Sequence, residues 1–244
     1  MGFIARLFIF ILIIIIFIIV SIIYNTNNSS INFNNIEISS INEVIDGDTI
    51  ILETNEKVRL LGINTPEKSK PYYNEAKNFL NQFKDDNIYL KKDKEDNDRY
   101  NRKLRYIFKD SRFINVEILE NGLATTLMID NLIYEEKFKK AEKFARDNKI
   151  GLWKLSSDIC SNCIKLIELN SKDDFFIIKN SCEFTCNMTG WFVKDDSNHF
   201  TYLTPLNPYQ QKIYQSKTKI WNDDKDRFFM RDSNGLLVIF YPYP

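Results

Sequence analysis

VIDGDTIILETNEKVRLLGINTPE, Val44 to Glu67, alternates β-branched with polar residues and breaks at two turn-forming pairs, Asp46-Gly47 and Thr54-Asn55. Such alternation turns one side of each segment toward a core, and Gly, Asp and Asn at the breaks supply the turns. The pattern predicts strands over Ile41–Ile45, Thr49–Glu53 and Lys57–Leu61, with Asp46, Asp48, Arg59, Asn64 and Glu67 brought to one end of a small sheet. Oxygen donors beside an arginine suit a hard divalent cation and a phosphate group.

Working outward, Tyr73–Leu80 has helical spacing, with Ala76, Phe79, Leu80 and Phe83 on one face. Asn87–Lys91 and Leu104–Phe108 read as strands flanking the polar loop Asp93–Lys103. Ile114–Glu120 is a short helix stopped by Asn121-Gly122, where glycine supplies a left-handed cap. A longer helix, Tyr134–Asn148, turns Phe138, Ala141, Phe144 and Ala145 inward. Five strands and three helices predict a small, partly open β-barrel. Beyond Lys154 the helical period disappears. Strands are expected at Ile164–Leu169, Phe175–Lys179, Gly190–Lys194, Arg227–Arg231 and Leu236–Tyr241, with a hairpin turn at Asp232-Ser233-Asn234-Gly235, which together predict an all-β sandwich.

The 244 residues, 44% hydrophobic, suffice for two small domains and an appendage. The boundaries expected are an anchor at 1–24, a linker at 25–39, a barrel domain at 40–155 and a sandwich at 156–244. Leu7–Tyr24 carries no charge, is about long enough to span a bilayer and lacks a small-residue cleavage site, so it reads as an uncleaved transmembrane helix. Arg6 precedes it and no Lys or Arg follows before Lys57, which places the remainder outside the cell membrane. Asn25–Asn35 reads as a flexible spacer reaching about 40 Å when extended. Lys plus Arg and Asp plus Glu number 33 each, so any surface for a polyanion must be local. His199, the one histidine, is read as a loop residue; its isolation argues against histidine nucleases, His-rich zinc hydrolases and Ser-His-Asp triads.

V-I-D-G-D-T, then V-R-L-L-G-I-N-T-P-E, D-R-Y-N-R-K-L-R-Y and N-G-L-A follow in order between Ser40 and Lys154. They resemble the staphylococcal-nuclease (thermonuclease) family, a five-stranded oligonucleotide/oligosaccharide-binding barrel with three helices, whose members cleave DNA and RNA phosphodiester bonds with calcium. The resemblance implies that Asp48, Asn64 and the carbonyl of Thr65 hold the metal, with Asp46 close behind. It implies that Glu67 takes a proton from the attacking water, that Arg59 and Arg102 clamp the phosphate, and that Arg99 and Tyr100 meet the terminal nucleotide. Two departures stand out. Asn64 replaces an aspartate and removes a ligand charge, which weakens calcium affinity. Met128 and Asp130 replace two tyrosines, which removes stacking on the nucleotide and adds repulsion.

Cys160, Cys163, Cys182 and Cys186 form C-x2-C…C-x3-C. Zinc would suit that spacing in a reducing compartment and two disulfides in an oxidising one, the outside location favouring disulfides. Around them F-I-I-K-N, M-T-G-W-F-V-K-D, I-W-N-D-D-K-D-R-F-F-M-R-D-S-N-G and L-V-I-F-Y-P-Y resemble the lamin-tail domain over Cys163–Pro244, which implies an immunoglobulin-like sandwich that binds or positions. Trp191 and Trp221 are expected in its core. The whole reads as a membrane-anchored, extracellular, calcium-dependent nuclease. The alternative is a surface protein that binds nucleic acid or another anionic polymer with little turnover.

Overall fold

The computed structural model describes residues 14–16, 36–127, 129, 131–216, 219–223 and 225–243. The chain forms two units, Met1–Asn35 and Ile36–Pro244. In the first, Ile14–Ile16 are helical; the rest of the expected anchor Leu7–Tyr24 and the spacer Asn25–Asn35 lie outside the described residues, as do Met128 and Asp130. Among the described residues no helix is long and apolar enough to cross a membrane.

The second unit begins with β1 (Ile36–Asp46), β2 (Thr49–Leu52), β3 (Lys57–Leu60), β4 (Ile63–Asn64), β5 (Asn87–Lys91) and β6 (Lys103–Lys109). The sheet runs β3-β2-β1-β5-β6, and a parallel pairing of β3 with β6, Val58 opposite Lys103 and Leu60 opposite Arg105, closes it into a five-stranded barrel. Val44, Ile50, Val58, Leu60, Ile88, Leu90 and Ile107 fill the interior. β1 is longer than expected: Ile36–Ser39, assigned to the linker by sequence, are strand, with Ile36 opposite Lys91 and Ser39 opposite Ile88. Its polar Glu37 is held by β6, accepting from Lys103 Nζ at 2.9 Å and Arg105 Nη2 at 2.7 Å.

The helices are α1 (Tyr73–Asn81), α2 (Ile114–Glu120) and α3 (Glu135–Asp147), with β7 (Arg112–Phe113) and β8 (Thr125–Thr126) between them. β8 pairs with β4, Asn64 opposite Thr125. On α3 the buried stripe is Phe138, Ala141, Glu142 and Ala145. Phe144, expected inward, is 52% exposed. The stripe at i, i+3, i+4 and i+7 gives the inward position to Glu142, which pairs with a buried arginine described below.

The remainder is β9 (Ile164–Asn170), β10 (Phe175–Asn180), β11 (Phe192–Lys194), β12 (Phe200–Tyr202), β13 (Gln211–Gln215), β14 (Asp226–Arg231) and β15 (Leu237–Tyr243). They form two antiparallel sheets, β13-β10-β9 and β12-β11-β14-β15. A shared core holds Phe176, Met188, Trp191, Trp221 and Phe228. Both tryptophans are core residues, as expected. The cysteines form disulfides Cys160–Cys186 and Cys163–Cys182, with Cα atoms 5.5 and 5.3 Å apart. This arrangement replaces the zinc alternative, since each sulfur is bonded to its partner.

Barrel and tail pack as one body. Trp153 lies under Phe229 and Phe240, and Arg231 donates to the carbonyl of Leu152. Gly235, at φ +78°, sits against Pro71, where a Cβ would come within 2.4 Å of the proline Cβ. Only glycine tolerates both that backbone and that approach.

Candidate active site

The Asp46-Gly47-Asp48 turn joins β1 to β2 and is tightly covered. A Cβ on Gly47 would meet Ala76 of α1 at 2.5 Å and Thr65 Cγ2 at 2.9 Å, so glycine lets helix and loop close over the turn. Asp48 is buried and organises its surroundings. Its Oδ2 accepts from the Thr65 backbone N–H at 2.9 Å and the Thr65 hydroxyl at 2.7 Å. Its Oδ1 accepts from the Thr49 hydroxyl at 3.1 Å and lies 3.2 Å from Arg59 Nε. One carboxylate thus ties the loop expected to carry metal ligands at 64–65 to Arg59, the arginine expected at the phosphate.

Asp46 accepts the backbone N–H of Asp48 at 3.0 Å. Burial, then the charge of Asp48, pushes the Asp46 carboxyl up to about 6. A cation beside the pair would relieve that repulsion. Among the described residues no three His, Cys, Asp or Glu side chains converge, so any cation here would draw on Asp46 and Asp48 with the Asn64 amide and Thr65 carbonyl oxygens. Oxygen donors of this type fit a hard divalent ion.

Arg59 also donates to the Leu60 carbonyl at 2.7 Å. It lines an open cavity of about 390 Å³ together with Arg99, Tyr100 and Arg102. The Arg102 guanidinium is fixed by Nε donating to Asp98 Oδ2 at 2.6 Å, and its backbone N–H reaches Asp98 Oδ1 at 2.9 Å. Burial would push the Asp98 carboxyl up, but the Arg102 donors together with the Tyr100 backbone N–H outweigh it and hold the group below its ordinary value. Arg99 and Arg102 stand 4.8 and 5.4 Å from the centre of the exposed Tyr100 ring. The four residues expected at the phosphate and nucleotide therefore share one cavity, backed by Leu127 and Ile129.

Glu67 is exposed and lies beyond the Asn64–Thr65 loop. Here the tail enters the site, which the sequence reading missed. Asn64 Nδ2 donates to the Asp196 carbonyl at 2.7 Å. Asn198 Nδ2 lies 3.3 Å from Glu67 Oε1 and 3.5 Å from the Thr65 carbonyl. Asp195-Asp196-Ser197-Asn198-His199 reads in sequence only as a polar turn around the single histidine. His199 is a loop residue, as expected: its Nδ1 is 2.6 Å from Asp195 Oδ2, and its backbone N–H donates to Asp195 Oδ1 at 2.7 Å.

The family described as staphylococcal nuclease homologue matches residues 57–155. The thermonuclease of Staphylococcus hyicus is 34% identical over 121 residues, covering 45% of this chain and 72% of that protein. The thermonuclease of Staphylococcus intermedius is 33% identical over 124 residues, 46% of this chain and 74% of the relative. The SPbeta prophage-derived endonuclease YokF of Bacillus subtilis is 33% identical over 130 residues, 47% of this chain and 43% of the relative.

Proposed function

Because the chain belongs to the staphylococcal nuclease family, we propose that it is an endonuclease that hydrolyses phosphodiester bonds of DNA or RNA with calcium. The observation that carries this reading is Arg59. It pairs with Asp48, a proposed metal ligand, and lines the cavity it shares with Arg102, so cation and guanidinium groups would meet one phosphate.

Asp46, Asp48, Asn64 and the Thr65 carbonyl would hold calcium, which when bound polarises a phosphoryl oxygen. Arg59 and Arg102 donate to the equatorial oxygens as charge builds on them during in-line attack. Glu67 accepts the proton of the attacking water as the new P–O bond forms, and the bond to the leaving sugar oxygen breaks, that oxygen taking a proton from solvent water to leave as the alcohol. Arg99 and Tyr100 meet the terminal nucleotide.

In the same proposal Leu7–Tyr24 anchors the chain in the cell membrane with the remainder extracellular. The two disulfides suit that compartment. The tail is a lamin-tail-like, immunoglobulin-like sandwich that positions rather than reacts.

The purified full chain is expected to degrade single-stranded DNA in calcium and to stop in chelator, and Glu67→Gln is expected to lower turnover about 10²–10⁴-fold while leaving a measurable residual rate. Persistent silence in ample calcium, or a Glu67→Gln variant as active as the native chain, would end the reading. The binding-protein alternative draws on Asn64, whose amide is tied to the Asp196 carbonyl and adds no charge for a cation. Binding without cleavage in the native chain, and cleavage on Asn64→Asp, would favour it.

A further inference from the structure

We infer that the tail is a working part of the active site, with Asn198 a positioning residue that holds Glu67 in its reactive orientation. The inference rests on the assignment of Glu67 as the base. The segment Asn64–Pro71, which carries Glu67, is seated on the tail at both ends. Asn64 donates to the Asp196 carbonyl at one end. At the other, Lys70 Nζ stands 4.1 Å from the centre of the Phe200 ring and 4.8 Å from that of Tyr202, whose hydroxyl it also bonds. Between these points the Asn198 amide N–H group faces both the Thr65 carbonyl and Glu67 Oε1.

The loop that presents Asn198 is itself fixed. Asp195 is buried and takes both His199 donors, while the Asp196 backbone N–H reaches Asp226 Oδ1 at 3.1 Å. The Asp196 carboxylate accepts from Arg227 Nε at 2.8 Å. An exposed glutamate samples several rotamers, and a donor on a rigid loop selects one of them. The selected rotamer raises the share of encounters in which the base meets its water.

The full chain is assayed as native protein and as Asn198→Ala, Asn198→Asp, Glu67→Gln and Glu67→Gln/Asn198→Ala, each checked by its thermal melt. Asn198→Ala is expected to lower kcat about tenfold with KM within about twofold. Asn198→Asp, which replaces that donor with a second carboxylate beside Glu67, is expected to lower kcat at least as much. In the Glu67→Gln background Asn198→Ala is expected to cost nothing more. A folded Asn198→Ala with native or raised kcat would overturn the inference, as would an equal loss in both backgrounds. If Glu67→Gln is strongly impaired and Asn198→Ala behaves as native, only this inference fails. If Glu67→Gln is fully active, the base assignment fails and this inference falls with it.

Discussion

Arg227 of the tail donates through Nη1 to Glu142 of α3 at 2.6 Å, and both side chains are almost wholly buried. Glu142 in turn accepts the Thr126 backbone N–H at 2.7 Å, and Arg227 Nη2 reaches the Thr126 carbonyl at 2.5 Å. One ionic cluster therefore ties the last barrel helix, strand β8 and the tail sheet together. Removing one partner of a buried pair leaves a charge uncompensated and typically costs about 3–5 kcal/mol. Arg227→Met is expected to lower the urea midpoint, and the native protein to unfold over Ile36–Pro244 in one transition. Tryptophan fluorescence and far-UV circular dichroism must then coincide; two separated transitions would contradict the shared cluster.

Arg59→Lys and Arg102→Lys are each expected to reduce turnover roughly 10²–10³-fold, the usual effect of losing one preorganised donor to a transition state. Lysine keeps the charge but loses the planar fork, and at position 59 it also loosens the grip on Asp48. Single-turnover cleavage at saturating enzyme measures the effect directly. Native rates in either variant would remove that arginine from the phosphate clamp.

Asp46 sets a pH dependence of unusual sign. Its carboxyl stands at about 6 in the folded protein against an ordinary 3.8, so the folded state holds this proton more tightly than the unfolded chain does. In chelator, this group's contribution to stability is fully present below 3.8 and is lost as pH rises to about 6. Calcium binding is expected to expel the proton, so affinity weakens as pH falls below about 6. Calorimetric titrations at pH 5.5 and 7.5, in buffers of different ionisation enthalpy, report both affinity and released protons. Affinity independent of pH would remove Asp46 from the ligand set.

Reduction should act on the tail. Disulfides closing 26 and 19 residues of sequence stabilise by about 3 kcal/mol each in the chain-entropy account. Because tail and barrel share one core boundary at Trp153, a thiol reductant is expected to lower both the melting temperature and the nuclease activity. Unchanged melting in reductant, with free thiols shown by alkylation, would refute this.

The barrel was legible because its strands alternate cleanly and its helices repeat at 3.6 residues; α2 matched its expected span and β3 ended one residue early. β12 and β13 escaped notice because Phe-Thr-Tyr is short and Gln-Lys-Ile-Tyr-Gln is mostly polar, so neither shows a buried face in sequence. Ile36–Ser39 passed for linker because the partner that satisfies Glu37 lies on β6, far along the chain. At the site, the turn Asp46-Gly47-Asp48, Arg59 and Arg102 were visible as local motifs. Asp196 and Asn198 were not, because their roles depend on contacts 131 to 133 residues away, for which no local pattern exists.

The seat of Gly235 on Pro71 bears on how such a protein can be altered by recombination. A chimera that kept this barrel and took a foreign tail would press any side chain at that turn into the proline, beside the loop that carries Glu67. Exchange at the natural-looking seam near Lys154 would therefore damage the barrel's own chemistry. The inheritable cassette is Ile36–Pro244, and a graft succeeds only if it carries the glycine turn and the Asp195–His199 loop along with it.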